Sequence, residues 1–244
     1  FRNFDAYLAR GGNLFILGEP KRQQYMNPVI ERLGLRFADG VIVSPSEVHL
    51  DDIIAANIKE GAAKVSENYI RFFRRGYSII TPSACAVEVI DSTKGFKITE
   101  VLASAGKGSW IEKETTDFIN EKSVLNPAVG EVEKSNSIML YLTRPVNNKE
   151  QRVFVIGDAD CISTLELSQE RAGFRSSNFT LITETFRNMS YEEFPVDAAR
   201  VNPPDDQVLV GPSVVTGIKV VLMWIIPLLL MAGCIIILIS RKRR

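Results

Sequence analysis

The chain has few of the residues that build catalytic or disulfide-rich sites. Its 244 residues include one histidine, His49, and three cysteines, of which only Cys85 and Cys161 precede the C-terminal apolar run. Two cysteines do not make a disulfide framework, although one bridge is an option in an oxidising compartment. We therefore predict two buried free thiols at Cys85 and Cys161, with a single bridge between them as the alternative.

The chain also lacks an excess of charge of either sign. It has 29 Lys and Arg residues and 29 Asp and Glu residues. Five of the cations, Lys219 and residues 241–244, lie beyond Thr216, so the preceding part carries 24 basic and 29 acidic residues, a net charge near −5. Nucleic-acid binding needs Lys and Arg clustered on one face. The balance therefore argues against a nucleic-acid partner.

A long apolar run is the most informative feature that the chain does have. Residues 220–240 contain no charged residue and end directly on four cations, residues 241–244. A helix of this length spans roughly 30 Å, the thickness of the hydrocarbon core of a bilayer, and the cations favour the cytoplasmic side. We predict one transmembrane helix, kinked at Pro227, in the cell (inner) membrane, with the main domain extracytoplasmic.

The predicted domain plan follows from that run. It comprises an extracytoplasmic domain at 1–190, a juxtamembrane linker at 191–217, the transmembrane helix at 218–240 and a cytoplasmic tail at 241–244. The opening residues resemble the middle of a domain, so we expect the chain to continue a longer protein whose N-terminal part precedes Phe1. The Pro203-Pro204-Asp205-Asp206 stretch predicts a stiff, extended spacer.

Short apolar strands interleaved with helical patterns predict an α/β fold with a mostly parallel sheet flanked by helices. Predicted strands cover 13–17, 36–43, 77–81, 96–103, 138–143 and 152–156, and predicted helices cover 4–10, 25–35 and 177–189. The segment 144–151 is predicted to be a polar turn. Both 51–57 and 64–74 are left open between helix and strand.

Three loops that follow predicted strands bring polar groups to the sheet edge where open α/β folds bind ligands. They contribute Glu19, Ser83, and the pair Asp158 and Asp160, which we predict as ligand-binding residues. The alternative is structural: Asp158 ends a turn and Asp160 caps a helix. Two carboxylates with Glu19 do not complete a metal shell, so we predict no metal and no cofactor.

Cys85 also follows a predicted strand, where a nucleophile would stand. An activated cysteine needs a base and a turn that strains it, as in Gly-x-Cys-x-Gly, and neither accompanies Cys85. The single histidine, His49, lies in a remote polar stretch and is predicted to be an exposed loop residue. We predict that the protein is not an enzyme and has no catalytic residues.

The order of motifs resembles that of a known family. The motifs are 7–17 (YLARGGNLFIL), 26–35 (MNPVIERLGL), 40–43 (GVIV), 152–160 (RVFVIGDAD), 177–179 (SNF), a Pro-Pro-Asp linker and one membrane helix with an Arg-rich tail. In this order they resemble the GldG-like family, auxiliary membrane components of prokaryotic ABC transport systems first associated with gliding motility. The resemblance implies a glutamine-amidotransferase-like (flavodoxin-like) domain without catalytic machinery, and partnership with an ABC-2-type permease and its ATP-binding subunit.

We therefore expect a non-enzymatic, membrane-anchored subunit of an ABC transporter whose outer domain binds a partner or substrate. Two alternatives remain open. One is a membrane-anchored hydrolase or amidotransferase that uses Cys85 or Ser83. The other is a metal- or glycan-binding module centred on Glu19, Asp158 and Asp160.

Overall fold

The computed structural model describes residues 1–115, 117–193 and 212–242. By its internal contacts the chain divides into two units, Phe1–Val196 and Asp197–Arg244. The predicted linker at 191–217 lies largely outside the described residues, and so do its Pro-Pro-Asp-Asp stretch and the last two residues of the predicted tail.

Ten strands and five helices make up the described part of the first unit. The strands are β1 (Leu14–Leu17), β2 (Leu35–Phe37), β3 (Val41–Val43), β4 (Ile53–Ile58), β5 (Ile79–Pro82), β6 (Val87–Val89), β7 (Lys97–Ala103), β8 (Trp110–Glu112), β9 (Ser137–Val146) and β10 (Lys149–Ile156). The helices are α1 (Arg2–Ala9), α2 (Gln23–Ile30), α3 (Glu67–Arg74), α4 (Thr164–Ser168) and α5 (Asn178–Met189). The segments that the sequence left open are therefore β4 and α3.

Six of these strands form the central sheet, in the order β1-β10-β9-β7-β4-β5. Among the described pairs of this sheet, β1 and β10 run parallel and the other four pairs are antiparallel. The prediction of a mostly parallel sheet is therefore wrong. A strand buried on both faces reads as a continuous apolar run in either direction, so composition did not reveal which way the strands run.

The hairpin between β9 and β10 accounts for much of this difference. Its turn consists of Asn147 and Asn148, both with positive φ (+49° and +62°), and the strands pair up to Val146 and Lys149. Positive φ at both central residues is the geometry of a tight hairpin turn, and asparagine tolerates it. The predicted polar turn at 144–151 therefore consists mostly of paired strand ends.

The predicted strand at 36–43 is also two strands. β2 pairs with β6 and β3 pairs with β8, in two separate two-stranded antiparallel sheets. Gly40 separates β2 from β3 at φ +107°, a conformation that favours glycine. A Cβ there would lie 2.4 Å from the Glu112 carbonyl oxygen, so β3 and β8 approach each other at a position that excludes a side chain.

Both faces of the central sheet are buried, and alternate residues of β10 enter two apolar clusters. One cluster contains Val153 and Val155 with Leu8 of α1 and Ile30 of α2; the other contains Phe154 and Ile156 with Tyr69 of α3 and Leu181 of α5. Helices therefore lie over both faces, which confirms the α/β class. Cys85 and Cys161 are buried free thiols, as predicted.

Three helical segments make up the described part of the second unit: α6 (Pro212–Val220), a π-helical turn (Val221–Ile225) and α7 (Ile226–Lys242). Together they contain one helix of 29 residues, Val214–Lys242, that is long and apolar enough to span a membrane. The π-helical turn ends at Ile225, two residues before Pro227, which has no N–H to donate to the preceding turn of the helix. This helix supports membrane anchoring.

Candidate functional site

The parallel pairing of β1 with β10 brings two of the predicted loops together. The N–H of Gly18 donates to the carbonyl oxygen of Ile156 at 2.7 Å, so both strands end side by side. Glu19 and Asp158 follow directly, and the backbone N–H of Asp160 donates to Asp158 Oδ1 at 2.7 Å. Three of the four predicted ligand residues therefore form one acidic cluster: Glu19, Asp158 and Asp160.

Asp158 is the least solvated member of this cluster. Its side chain is fully buried, and its Oδ2 has no hydrogen-bond partner among the described residues. Burial raises the pKa of the Asp158 carboxyl well above its usual value, and the charges of Asp160 and Glu19 also raise it. Burial raises the pKa of Glu19 too, followed by the charge of Asp160. The cluster therefore favours protonated carboxyl groups more than isolated aspartate and glutamate do.

The pH dependence of stability should report the burial of Asp158. Because its folded-state pKa lies above the unfolded value of about 3.9, its stabilising linkage is complete below that value and is lost as pH rises through the folded pKa. Asp158→Asn removes this titration. From about pH 4 to about pH 8, we expect the unfolding midpoint of the variant to rise relative to wild type by about 3 °C or more, measured by thermal denaturation.

Asp91→Asn serves as the matched control because the pKa shift of Asp91 has the opposite sign. Hydrogen bonds from the Thr93 hydroxyl and N–H lower the pKa of Asp91. Its contribution to stability is complete above the unfolded pKa of about 3.9 and is lost as pH falls through the folded pKa. The midpoint of this variant relative to wild type should therefore stay nearly constant from about pH 4 to about pH 8 and rise only below about pH 4. A flat difference for Asp158→Asn would contradict the assigned burial.

Cys85 lies against the end of β10, beside the acidic cluster. Its N–H donates to the Gly157 carbonyl oxygen at 2.8 Å, and its thiol donates to the same oxygen at 3.1 Å. Burial raises the pKa of this thiol to about 12, and the charges of Asp158 and Glu19 add to the shift. A thiol in this setting is protonated at neutral pH and holds two backbone segments together.

The single histidine makes its contacts away from Cys85 and the acidic cluster. The Nε2 atom of His49 is 2.7 Å from the Ala172 carbonyl oxygen, and its ring stacks on Phe174 with 4.5 Å between ring centroids. His49 lies in a loop, as expected, and these contacts leave it half-buried and not fully exposed. Its contacts join the loop before β4 to the loop before α5.

Ser83, the fourth predicted ligand residue, is directed elsewhere. Its hydroxyl donates a short hydrogen bond to Asp52 Oδ2, and its N–H donates to the Asp52 carbonyl oxygen at 2.9 Å. The prediction of one site that combines Ser83 with the other three residues is therefore not supported by this geometry. Asp52 stands directly before β4, in a stretch that the sequence left undecided, so no pattern signalled the pairing.

The acidic cluster offers little coordination chemistry. Over residues 1–115, 117–193 and 212–242, no group of three His, Cys, Asp or Glu side chains is arranged to hold a metal ion. The bond from the Asp160 N–H to Asp158 Oδ1 matches one half of the structural alternative, in which Asp158 ends the turn after β10. The helical turn Asp160–Ile162 has no side-chain cap, so the other half, in which Asp160 caps a helix, is wrong. The geometry of the acidic cluster therefore fits a structural role at the end of β10 better than a role in binding a ligand.

Two clefts lie around α3, on the opposite side of the sheet from α1 and α2. One cleft of about 520 Å³ lies between α3 and α5, and its charged lining includes Lys64, Glu67, Arg71 and Arg187. A neighbouring cleft of about 500 Å³ shares Glu67 and Arg71. Neither cleft could be predicted from the sequence, because the pattern at 64–74 fits helix and strand equally and α5 meets α3 only in the folded domain.

Comparisons with known proteins add information about the fold alone. No family model matches the chain, and no curated protein matches it. Among solved structures, the chain is similar to one described as "mmIFT52 N-terminal domain", with 12% sequence identity and a TM-score of 0.50, over 78% of this chain and 69% of that chain. At this identity the likeness concerns the arrangement of strands and helices.

Proposed function

We propose that this chain is a non-enzymatic, membrane-anchored auxiliary subunit of an ABC transport system, with an outer domain that binds a protein partner or substrate. The observation that carries the proposal is the helix Val214–Lys242, long and apolar enough to span a membrane and attached to a chain that also contains a packed α/β unit. The hydrophobic driving force holds such a helix in lipid, so the folded unit works at a membrane surface.

The proposed orientation rests on the cations at the end of that helix. Residues 241–244 are four consecutive Lys and Arg, which favour the cytoplasmic side. The α/β unit is then extracytoplasmic, at the inner membrane. A net charge near −5 in the part before the span is consistent with a soluble outer domain that avoids nucleic acid.

The non-enzymatic part of the proposal is supported by the groups at the strand ends. The Cys85 thiol is buried with a raised pKa and bonded to Gly157, and the Ser83 hydroxyl is bonded to Asp52. Neither contacts the imidazole of His49, which lies against Ala172 and Phe174. We propose a domain of glutamine-amidotransferase-like ancestry in which these positions maintain the fold instead of carrying out a reaction.

The partner assignment comes from the resemblance to the GldG-like family. It names an ABC-2-type permease and an ATP-binding subunit as the proteins with which the chain would assemble. Within the span, Ala232 and Gly233 are small residues at which a neighbouring helix can approach closely. The span therefore suits packing against a permease as well as anchoring.

Topology and partnership can be tested together on the full chain expressed in its host. Protease added to spheroplasts should digest the outer unit and spare a tag placed after Arg244. Purification in mild detergent should enrich an ABC-2-type permease and its ATP-binding subunit over an unrelated single-span protein at equal expression. A protected outer unit would overturn the orientation, and absence of both subunits from the purified material would overturn the transporter assignment.

A further inference from the structure

The surface around α3 carries a concentrated positive charge. Five exposed cations surround the two clefts that share Glu67 and Arg71, and we call this surface the basic groove. Its cations are Lys64, Arg71, Arg74, Arg75 and Arg187. The groove lies on a domain whose overall charge is negative, so its charge is opposite to that of its surroundings.

The cations of the groove are not neutralised within the described chain. None of the five side chains has an ion pair or a side-chain hydrogen bond among residues 1–115, 117–193 and 212–242. Elsewhere, partners are provided: Arg171 binds Glu166 at 2.6 Å and Arg32 binds Asp5 at 2.6 Å. Cations that converge in excess of the nearby carboxylates repel each other, and an acidic ligand would relieve that repulsion.

Acidic residues at the groove do not cancel this charge. Glu184 is already engaged, since it accepts hydrogen bonds from the Ser66 hydroxyl and from the Asn68 amide at the start of α3. With Glu184, the carboxylates of Glu67 and Glu192 make three that line the clefts, against the five exposed cations and the half-buried Arg152. The C-terminal dipoles of short helices offset part of the repulsion, because Arg71, Arg74 and Arg187 stand in last helical turns.

The elements that carry the groove are held firmly. The Tyr69 hydroxyl of α3 donates to the Leu181 carbonyl oxygen of α5 at 2.9 Å, and Tyr69 is fully buried. At the other end, the Asn188 amide donates to the Val65 carbonyl oxygen at 3.0 Å. The groove is therefore preformed, which reduces the entropy cost of binding.

We propose that the basic groove binds an acidic peptide segment of a partner protein. Arginine presents a planar fork of donors that matches carboxylate groups, and three of the groove's five cations lie on or directly after α3 as Arg71, Arg74 and Arg75. The half-buried Ile70 lines the second cleft and adds an apolar contact between the cations. The surface is concave, which suits an extended chain better than a flat lipid surface.

This inference deepens the proposed function, because it names the surface with which the outer domain meets its partner. It rests on the partner-binding role proposed above and does not depend on the partner being a permease. Each idea can fail alone. If the glutamate peptide described below does not bind while the transporter subunits still co-purify, the groove assignment is wrong and the transporter assignment stands. If the peptide binds and the subunits do not co-purify, the transporter assignment is wrong and the groove assignment stands.

The test uses the full chain in nanodiscs of neutral phosphatidylcholine. The probe is a fluorescent short peptide that alternates glutamate with serine, and its counterpart has glutamine at every glutamate. We expect the glutamate peptide to bind and the glutamine peptide not to bind, by fluorescence anisotropy at low salt. Arg71→Glu with Arg74→Glu should weaken binding by about tenfold or more, and added salt should weaken wild-type binding as well.

Two matched variants make the result specific. Lys97→Glu with Lys149→Glu makes the same change in net charge at exposed residues of β7 and β10, and it should leave binding unchanged. Arg71→Lys with Arg74→Lys keeps the charge and loses the fork, and it should weaken binding a few-fold. The proposal is wrong if the two reversal variants bind equally, if both peptides bind equally, or if vesicles with anionic phosphatidylserine retain the chain through the groove while the glutamate peptide does not bind.

Discussion

Gly157→Ala should destabilise the outer domain by at least about 3 kcal/mol, enough to lower the unfolding midpoint by roughly 6–12 °C. An added Cβ would lie 1.8 Å from the Cys85 carbonyl oxygen and 2.8 Å from its carbonyl carbon. Those are backbone atoms, so no side chain can move aside. The backbone of Gly157 is also bonded on both sides, to Ile138 through its N–H and to Cys85 through its oxygen.

Thermal denaturation of the full chain in detergent, followed by circular dichroism, measures this effect. Gly106→Ala is the control, since its Cβ would meet only Ser135 Cβ at 3.9 Å. We expect this control to change the free energy of unfolding by no more than about 0.5 kcal/mol, so its midpoint should stay close to that of wild type. Equal midpoints for Gly157→Ala and wild type would show that β10 and the loop at Cys85 are not in contact as described.

Placing two arginines at the centre of the apolar helix should release much of the protein from the membrane. Thirteen Val, Leu and Ile residues between 220 and 240 provide about 4–8 kcal/mol of insertion free energy at roughly 0.3–0.6 kcal/mol each. Two central arginines cost about 5–7 kcal/mol. Leu229→Arg with Leu230→Arg therefore cancels most of the driving force for insertion.

The fraction of protein that resists extraction by alkaline carbonate measures this change. We expect it to fall from nearly all of the wild-type chain to about half or less for the double arginine variant. Leu229→Ala with Leu230→Ala shortens the same side chains without charge and should stay in the membrane. Full retention of the arginine variant would mean that something other than this helix holds the chain to the membrane.

Most strands of the central sheet and the apolar helix could be predicted because their signals are local. Each signal lies in or next to the element that it defines. Examples are the apolar run within β10, the glycines on either side of β1 and the uncharged stretch before Arg241. The direction of the strands could not be predicted in the same way. One local clue was available, since the pair Asn147-Asn148 is a composition that tight hairpin turns favour.

The candidate site likewise has a part that local sequence signals predicted and a part that they did not. Glu19 and Asp158 were expected to meet because both follow apolar strands, and the parallel pairing of β1 with β10 brings them together. Ser83 was expected to join them and instead bonds to Asp52, a partner 31 residues away that no motif marks. The basic groove depends on α3 and α5 packing together across more than a hundred residues, so no single stretch of sequence displays it.

The pairing of β1 with β10 also fixes the order in which the domain can be completed. Leu14 pairs with Val153, so β1 cannot pair in the central sheet until β10 has been synthesised, about 140 residues later. At roughly 5–20 residues per second, the ribosome needs about 7–30 s to supply it. During that interval an apolar strand has no native neighbour, and a holding chaperone would protect the nascent chain until its own partner emerges.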